Sequence, residues 1–211
     1  MEGLSHVHVT TKERDKAAAW LAAHTGLRVS KPTPRSENVL DGRLNLLQVQ
    51  SSAPLAMEPD GSAWIASVGI AVSNLSAALA SWAADGGAIV SQRSQCGVVE
   101  VATATDPWGV LFELIQSGSP GLSHVNVVAH EPDELLGWYA AHLGGVRRDG
   151  PRFAPDRKAL RFPDTGLLLC FSRARPGAAT PTDKAQRRID HLGFARRDAE
   201  SACSAMAAVR N

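Results

Sequence analysis

Four segments of this chain repeat one another, and a repeat of this kind restricts the fold before any local structure is considered, because each unit must bury its apolar face against a neighbour like itself. The segments are LSHVHVTTKERDKAAAWLAAHTGL from residue 4, ASVGIAVSNLSAALASWAADGG from 66, LSHVNVVAHEPDELLGWYAAHLGG from 122 and IDHLGFARRDAESACSAMAAV from 189. Each opens with strand-like alternation and continues into an Ala/Leu-rich helical stretch. The same strand position is read as His6, Val68, His124 and His191, and the residue 14 further on is Trp20, Trp82, Trp138 and Ala205. Three of the five tryptophans thus fall in one register. They are expected on the inner face of each helix, packed on that module's sheet. A glycine follows each of the first three helices, at Gly26, Gly86 or Gly87, and Gly144, where a left-handed helix end needs one.

Short strand-like runs follow each helix. In the second module they are AIV at 88–90, VVEVATA at 98–104 and VLFELIQ at 110–116, the last preceded by the turn Asp106-Pro107-Trp108-Gly109. LNLLQVQ at 44–50 follows Asp41-Gly42, and LLLCF at 167–171 follows Pro163-Asp164-Thr165-Gly166. The expected fold class is therefore α+β: three complete βαβββ modules and a truncated fourth, whose mixed sheets curve into cradles. The domain expectation pairs modules one (1–50) and two (65–116) across a linker at 51–64 as a unit over 1–116. Residues 117–211 then hold module three (122–173) and the opening of module four (188–211).

Composition narrows the function classes. With 44% apolar and 20% charged residues, the 211-residue chain is of globular type. A formal charge of +1, without a basic block, argues against nucleic acid as a partner. The opening MEGLSHVHVTTKERDK is charged too early for a signal peptide, and no run is apolar enough for a membrane span, so a cytoplasmic protein is expected. Cys96, Cys170 and Cys203 match neither a disulfide framework nor a zinc motif. There is no Gly-x-Ser-x-Gly elbow, phosphate loop or dinucleotide fingerprint. The high Ala, Arg and Gly content suggests a GC-rich bacterial source.

A tandem βαβββ array with a first-strand histidine and the segment DPWGVLFELIQ, beside LSHVHV, LSHVNV and RIDHLGFA, resembles the vicinal oxygen chelate superfamily of glyoxalases, bleomycin-resistance proteins and extradiol dioxygenases. The resemblance implies paired modules cradling a divalent metal, whose ligands come from first and last strands. Carried over residue by residue, the first-strand ligands are His6, His124 and His191, with Val68 unable to bind, and the last-strand carboxylate is Glu113. Gln48 or Gln50 stands nearby in module one, and Cys170 or Ser172 in module three.

The first site expected is His6 and Glu113, with His8 or Gln48 in support, holding Fe, Mn, Ni, Co or Zn; His8 qualifies because residues two apart on a strand share a face. In this reading Glu113 is catalytic. A second pair, His124 and His191, resembles the two histidines of extradiol dioxygenases. The implied function is a metal-dependent lyase, isomerase or dioxygenase acting on a small oxygen-chelating molecule. The alternatives are a metal-free drug- or metabolite-binding protein and a non-catalytic scaffold, in which module three pairs with a second copy to give a homodimer. Several of these residues also have plainer readings. A strand histidine can be a hydrogen-bonded core residue, and Glu113, inside the apolar run LFELIQ, needs a metal or a basic residue as partner unless it guards a sheet edge. Trp108 is a candidate for the mouth of a cleft.

Overall fold

The computed structural model describes residues 3–11, 13–29, 36–39, 44–48, 63–95, 99–151, 154–175 and 189–195. The turn Asp41-Gly42, Gln50, most of the 51–64 linker, Cys96, Cys203 and the fourth helix with Ala205 lie outside them.

The chain runs β1 (Gly3–Thr11), α1 (Arg14–Thr25), β2 (Ser36–Val39), β3 (Leu44–Gln48), β4 (Ala63–Val72), α2 (Leu75–Ala84), β5 (Ala88–Gln95), β6 (Val99–Thr105), β7 (Leu111–Gln116), β8 (Gly121–Ala129), α3 (Pro132–Leu143), β9 (Val146–Arg148), β10 (Lys158–Arg161), β11 (Leu168–Arg173) and β12 (Ile189–Ala195). The second and third segments therefore each read βαβββ. Local chemistry sets the helix ends. The Asn74 side chain caps α2 by accepting from the Ala77 N–H at 2.9 Å, Pro132 opens α3, and Gly26 closes α1 at φ 71°, a left-handed conformation that costs glycine little. No helix among the described residues is long and apolar enough to cross a membrane.

The strands form two sheets, β12-β1-β3-β2 and β5-β6-β7-β4-β8-β11-β10-β9. In the larger sheet, β4 is parallel to β7 and β8 to β11, while β4 and β8 meet antiparallel at the centre, so two modules are related as if by a twofold axis. In the smaller, β1 is parallel to β3 and antiparallel to β12. The expected association of modules one with two and three with four is thereby corrected: the second sheets with the third, and the first with the opening of the fourth. Edge pairing of equivalent first strands satisfies the same backbone groups whichever modules supply them. Sequence therefore carries little signal for the choice.

The helix-facing sides of the strands build a continuous core from Leu4, Val7, Val68, Ile70, Phe112, Leu114, Val125 and Leu169, all fully buried. The tryptophan register needs adjustment by one residue. Leu21, Trp82 and Tyr139 each stand seven residues after the first residue of their helices, and these are the sheet-facing positions. Leu21 and Trp82 are fully buried, and the Tyr139 ring lies 5.8 Å from those of Phe171 and Phe194. Trp20 and Trp138 stand one place earlier, about 100° round the helix, and are half-buried. Trp20 instead packs edge-on against Trp82 at 4.5 Å and donates its indole N–H to the Asp85 carbonyl at 3.0 Å. Trp108 donates to Glu13 Oε2 at 3.1 Å, which makes it a tie between the β6–β7 turn and α1 and replaces the expected cleft-mouth role.

Candidate functional site

The opposite side of the large sheet is the concave one, and its floor is set by register. Gly69 on β4 pairs with Glu113 on β7 and, on its other flank, with His124 on β8, so the three residues form one row across neighbouring strands. Two strand spacings, roughly 10 Å, separate the outer backbones of such a row. The side chains nevertheless meet, His124 Nε2 to Glu113 Oε1 at 3.0 Å, because nothing projects from the middle strand. A Cβ built on Gly69 would lie 2.0 Å from His124 Nδ1 and Cε1. This glycine is a site residue that sequence reasoning missed, and its signal was its place beside Val68.

The same register corrects the ligand position in module two. Val68 points into the core and is fully buried. The concave-face residues of β4 are Ser67 and Gly69, opposite Asn126 and His124.

Glu113 is 4% exposed and lies on a central strand, flanked by β6 and β4, so it is no edge guard. Its second partner is basic. Arg157, from the segment between β9 and β10, sets Nη1 3.0 Å from Oε1 and Nη2 2.9 Å from Oε2, a two-pronged pair. Arg157 Nη1 also donates to Asn126 Oδ1 at 2.6 Å, and Asn126 Nδ2 donates to Ser67 Oγ at 2.7 Å. Nothing in the sequence pattern pointed to Arg157, because it comes from a connection outside the repeat.

These contacts fix protonation. Burial pushes the Glu113 carboxyl upward, but the hydrogen bonds and charges of His124 and Arg157 outweigh it and hold the group at about 2. Burial pulls His124 below the ordinary imidazole range, reinforced by the Arg157 charge and only partly opposed by Glu113, so the ring is neutral. An ionised carboxylate only accepts, hence His124 Nε2 carries the proton, and Nδ1 accepts from Ser123 Oγ at 2.6 Å. Desolvation pulls the Arg157 guanidinium down, yet Glu113 more than restores it and leaves it above its usual range. Burial pushes the nearby Cys170 thiol up to about 12, which removes it as a nucleophile or ligand at neutral pH.

The rest of the concavity is apolar and filled from within. Ala154, from the same connection as Arg157, is fully buried among Ala71, Val101, Ile115, Ala159 and Cys170. The connection holds its shape through Ala154 N–H to Pro151 O at 2.8 Å and Arg157 N–H to Ala154 O at 3.1 Å.

The smaller sheet carries the other histidines. His6 and His8 occupy one face of β1, their ring centroids 4.6 Å apart. His6 pairs with Gly193 on β12 and lies over it: a Cβ there would come within 2.2 Å of His6 Nε2. The arrangement repeats that of His124 over Gly69. His191 stands directly opposite His8 in the β1–β12 register. Gln48 pairs with Thr11, whereas His8 pairs with Asn45, so Gln48 is three residues further along its strand. Of the expected groupings, His6 with Glu113 and His124 with His191, each draws on both sheets: His6, His8 and His191 belong to one, Glu113 and His124 to the other. Among the described residues no three His, Cys, Asp or Glu side chains converge as a ready metal site.

No family model and no curated protein sequence matches the chain. Solved structures do. Glyoxalase I from Zea mays superposes with a TM-score of 0.69 at 16% identity, covering 97% of this chain and 78% of that one. A candidate dioxygenase from Bacillus subtilis strain 168 gives 0.65 at 13% identity, covering 99% and 74%. The fold is that of these two proteins. At these identities the likeness concerns architecture, and the chemistry of the chain has to be argued from its own side chains.

Proposed function

We propose that the protein is a small-molecule enzyme of glyoxalase or dioxygenase type, whose divalent metal (Fe, Mn, Ni, Co or Zn) is held on the β1–β12 sheet by His6 and His8, with His191 as third donor. The observation that carries this reading is the pairing of His6 and His8 on one strand face, 4.6 Å between ring centroids, with the His191 backbone opposite His8. Imidazoles suit these metals, and three leave coordination positions open for substrate. Such a metal supplies Lewis-acid polarisation of two adjacent substrate oxygens. The protein's own contribution is orientation: Gly193 lets the His6 ring lie across β12, and the Val7 and Val9 side chains, fully buried on the opposite face, fix the strand that presents both histidines.

Glu113 is not assigned a catalytic role in this reading, because both its oxygens engage Arg157. A second reading, a metal-free binder of a drug or metabolite, is favoured by the locked carboxylate of the β4–β8 sheet, whose oxygens are taken by Arg157 and His124. Elemental analysis of protein purified without chelator separates the two. One equivalent of metal, lost in His6→Ala and in His8→Ala and kept in Glu113→Gln, supports the enzyme. Metal-free protein that takes up none on dialysis against these ions leaves only the binder.

A further inference from the structure

Glu113 and His124 converge from β7 and β8 over Gly69 as a carboxylate and an imidazole at 3.0 Å, the donor types a divalent cation takes. A metal would need both to turn lone pairs toward one point. The structure fills that role differently. The Arg157 guanidinium faces both carboxylate oxygens and is itself anchored to Asn126, while the His124 nitrogen nearest Glu113 is the one that donates. The imidazole lone pair is on Nδ1, facing Ser123 Oγ at 2.6 Å. We infer that the β4–β8 concavity is a metal-excluding site, in which Arg157 is a built-in monovalent cation held on the two Glu113 oxygens that a divalent ion would otherwise take.

Three features enforce the exclusion. A divalent ion within reach of Glu113 would face a guanidinium that is fully charged at any accessible pH and cannot be neutralised by losing a proton. His124 would have to change tautomer, giving up its bonds to Glu113 and Ser123. The neighbouring polar groups on the concave face, Ser67 and Asn126, are bonded to each other, and Asn126 is bonded to Arg157. The same ion pair also latches the β9–β10 connection, since Arg157 follows Ala154 by three residues and both point into the concavity. Arg157 is thus a positioning residue with an electrostatic duty, and the two sheets divide their tasks. The inference stands whether or not His6 and His8 bind a metal.

The test uses the full chain labelled with ¹⁵N-histidine and titrated with Co²⁺. For the wild type the diamagnetic ion Zn²⁺ replaces Co²⁺: His124 is expected to show the Nε2-protonated tautomer, with resonances that persist unshifted through ten equivalents of zinc, and zinc-induced loss of that tautomer overturns the inference. Arg157→Ala, with Arg157→Met as the bulkier companion, is then titrated in a His6→Ala/His8→Ala background and checked for fold by circular dichroism. At least a tenfold tightening of cobalt binding, abolished by adding Glu113→Gln, is expected. A folded Arg157 variant whose cobalt affinity does not change overturns the claim that the guanidinium excludes the metal. If neither variant folds, the wild-type His124 tautomer still decides.

Discussion

Replacing Gly69 by alanine adds a single methyl group at the point where the whole β4–β8 arrangement closes. That methyl would sit 2.0 Å from His124 Nδ1 and Cε1, against ordinary contacts well beyond 3 Å, so the ring has to leave. His124 has no side-chain exposure and no room to shift sideways without displacing the core of β8. Two costs follow: overpacking, about 1–3 kcal/mol, and loss of a hydrogen bond to an ionised, buried carboxylate, about 1.5–3 kcal/mol. The sum is about 2.5–6 kcal/mol, which for a chain of this size lowers Tm by roughly 5–24 °C. Urea unfolding followed by tryptophan fluorescence measures it directly, with Gly118→Ala, whose added methyl meets nothing within 4 Å, as control. The decisive measurement is the double mutant. With His124→Ala already in place, Gly69→Ala should cost less than about 1 kcal/mol, a coupling of about 2 kcal/mol or more between the two positions. Additive effects, or a Gly69→Ala protein as stable as the control, would refute the account of Gly69 as the gap through which His124 reaches Glu113.

Glu113 sets an acid limit: its folded value of about 2 lies below the ordinary 4.5, so its stabilisation is present above pH 4.5 and is lost as pH falls from there toward 2. The loss is on the order of 3 kcal/mol, and Glu113→Gln should flatten that part of the pH–stability curve. Trp82→Ala should cost about 3–5 kcal/mol in chemical denaturation, well above Trp20→Ala or Trp138→Ala; equal costs would contradict the one-residue register correction. Cys170 should resist iodoacetamide at pH 8 in the folded protein and react on unfolding, as read by peptide mass spectrometry; rapid labelling of the native state would contradict a thiol pushed up to about 12.

The repeat unit was legible because it is written in local periodicities. Alternation at Val7 and Val9 or Val125 and Val127, the Asn74 cap, Pro132 and Gly26 each act within a few residues, and a strand or helix obeys them wherever it ends up. Part of the site was legible too. A carboxylate inside LFELIQ requires a partner, and the structure supplies a basic one. The errors have a common source in the strand period of two, for which one residue of slip exchanges faces. Counting His6, Val68 and His124 as equivalents placed Val68 on the concave side and Trp82 in the register of Trp20 and Trp138.

What the sequence determined alone was the module: a strand, a helix and returning strands, with histidines and a glutamate at their ends, all encoded by nearest-neighbour chemistry. The tertiary structure decided which modules share a sheet, and hence that Glu113 meets His124 while His6 meets Gly193. It also decided that an arginine from outside the repeat engages both oxygens of the carboxylate in one concavity. Strand edges of equivalent modules offer the same hydrogen bonds, and a long-range ion pair leaves no periodic trace. Those choices are made only by the packing of the complete chain.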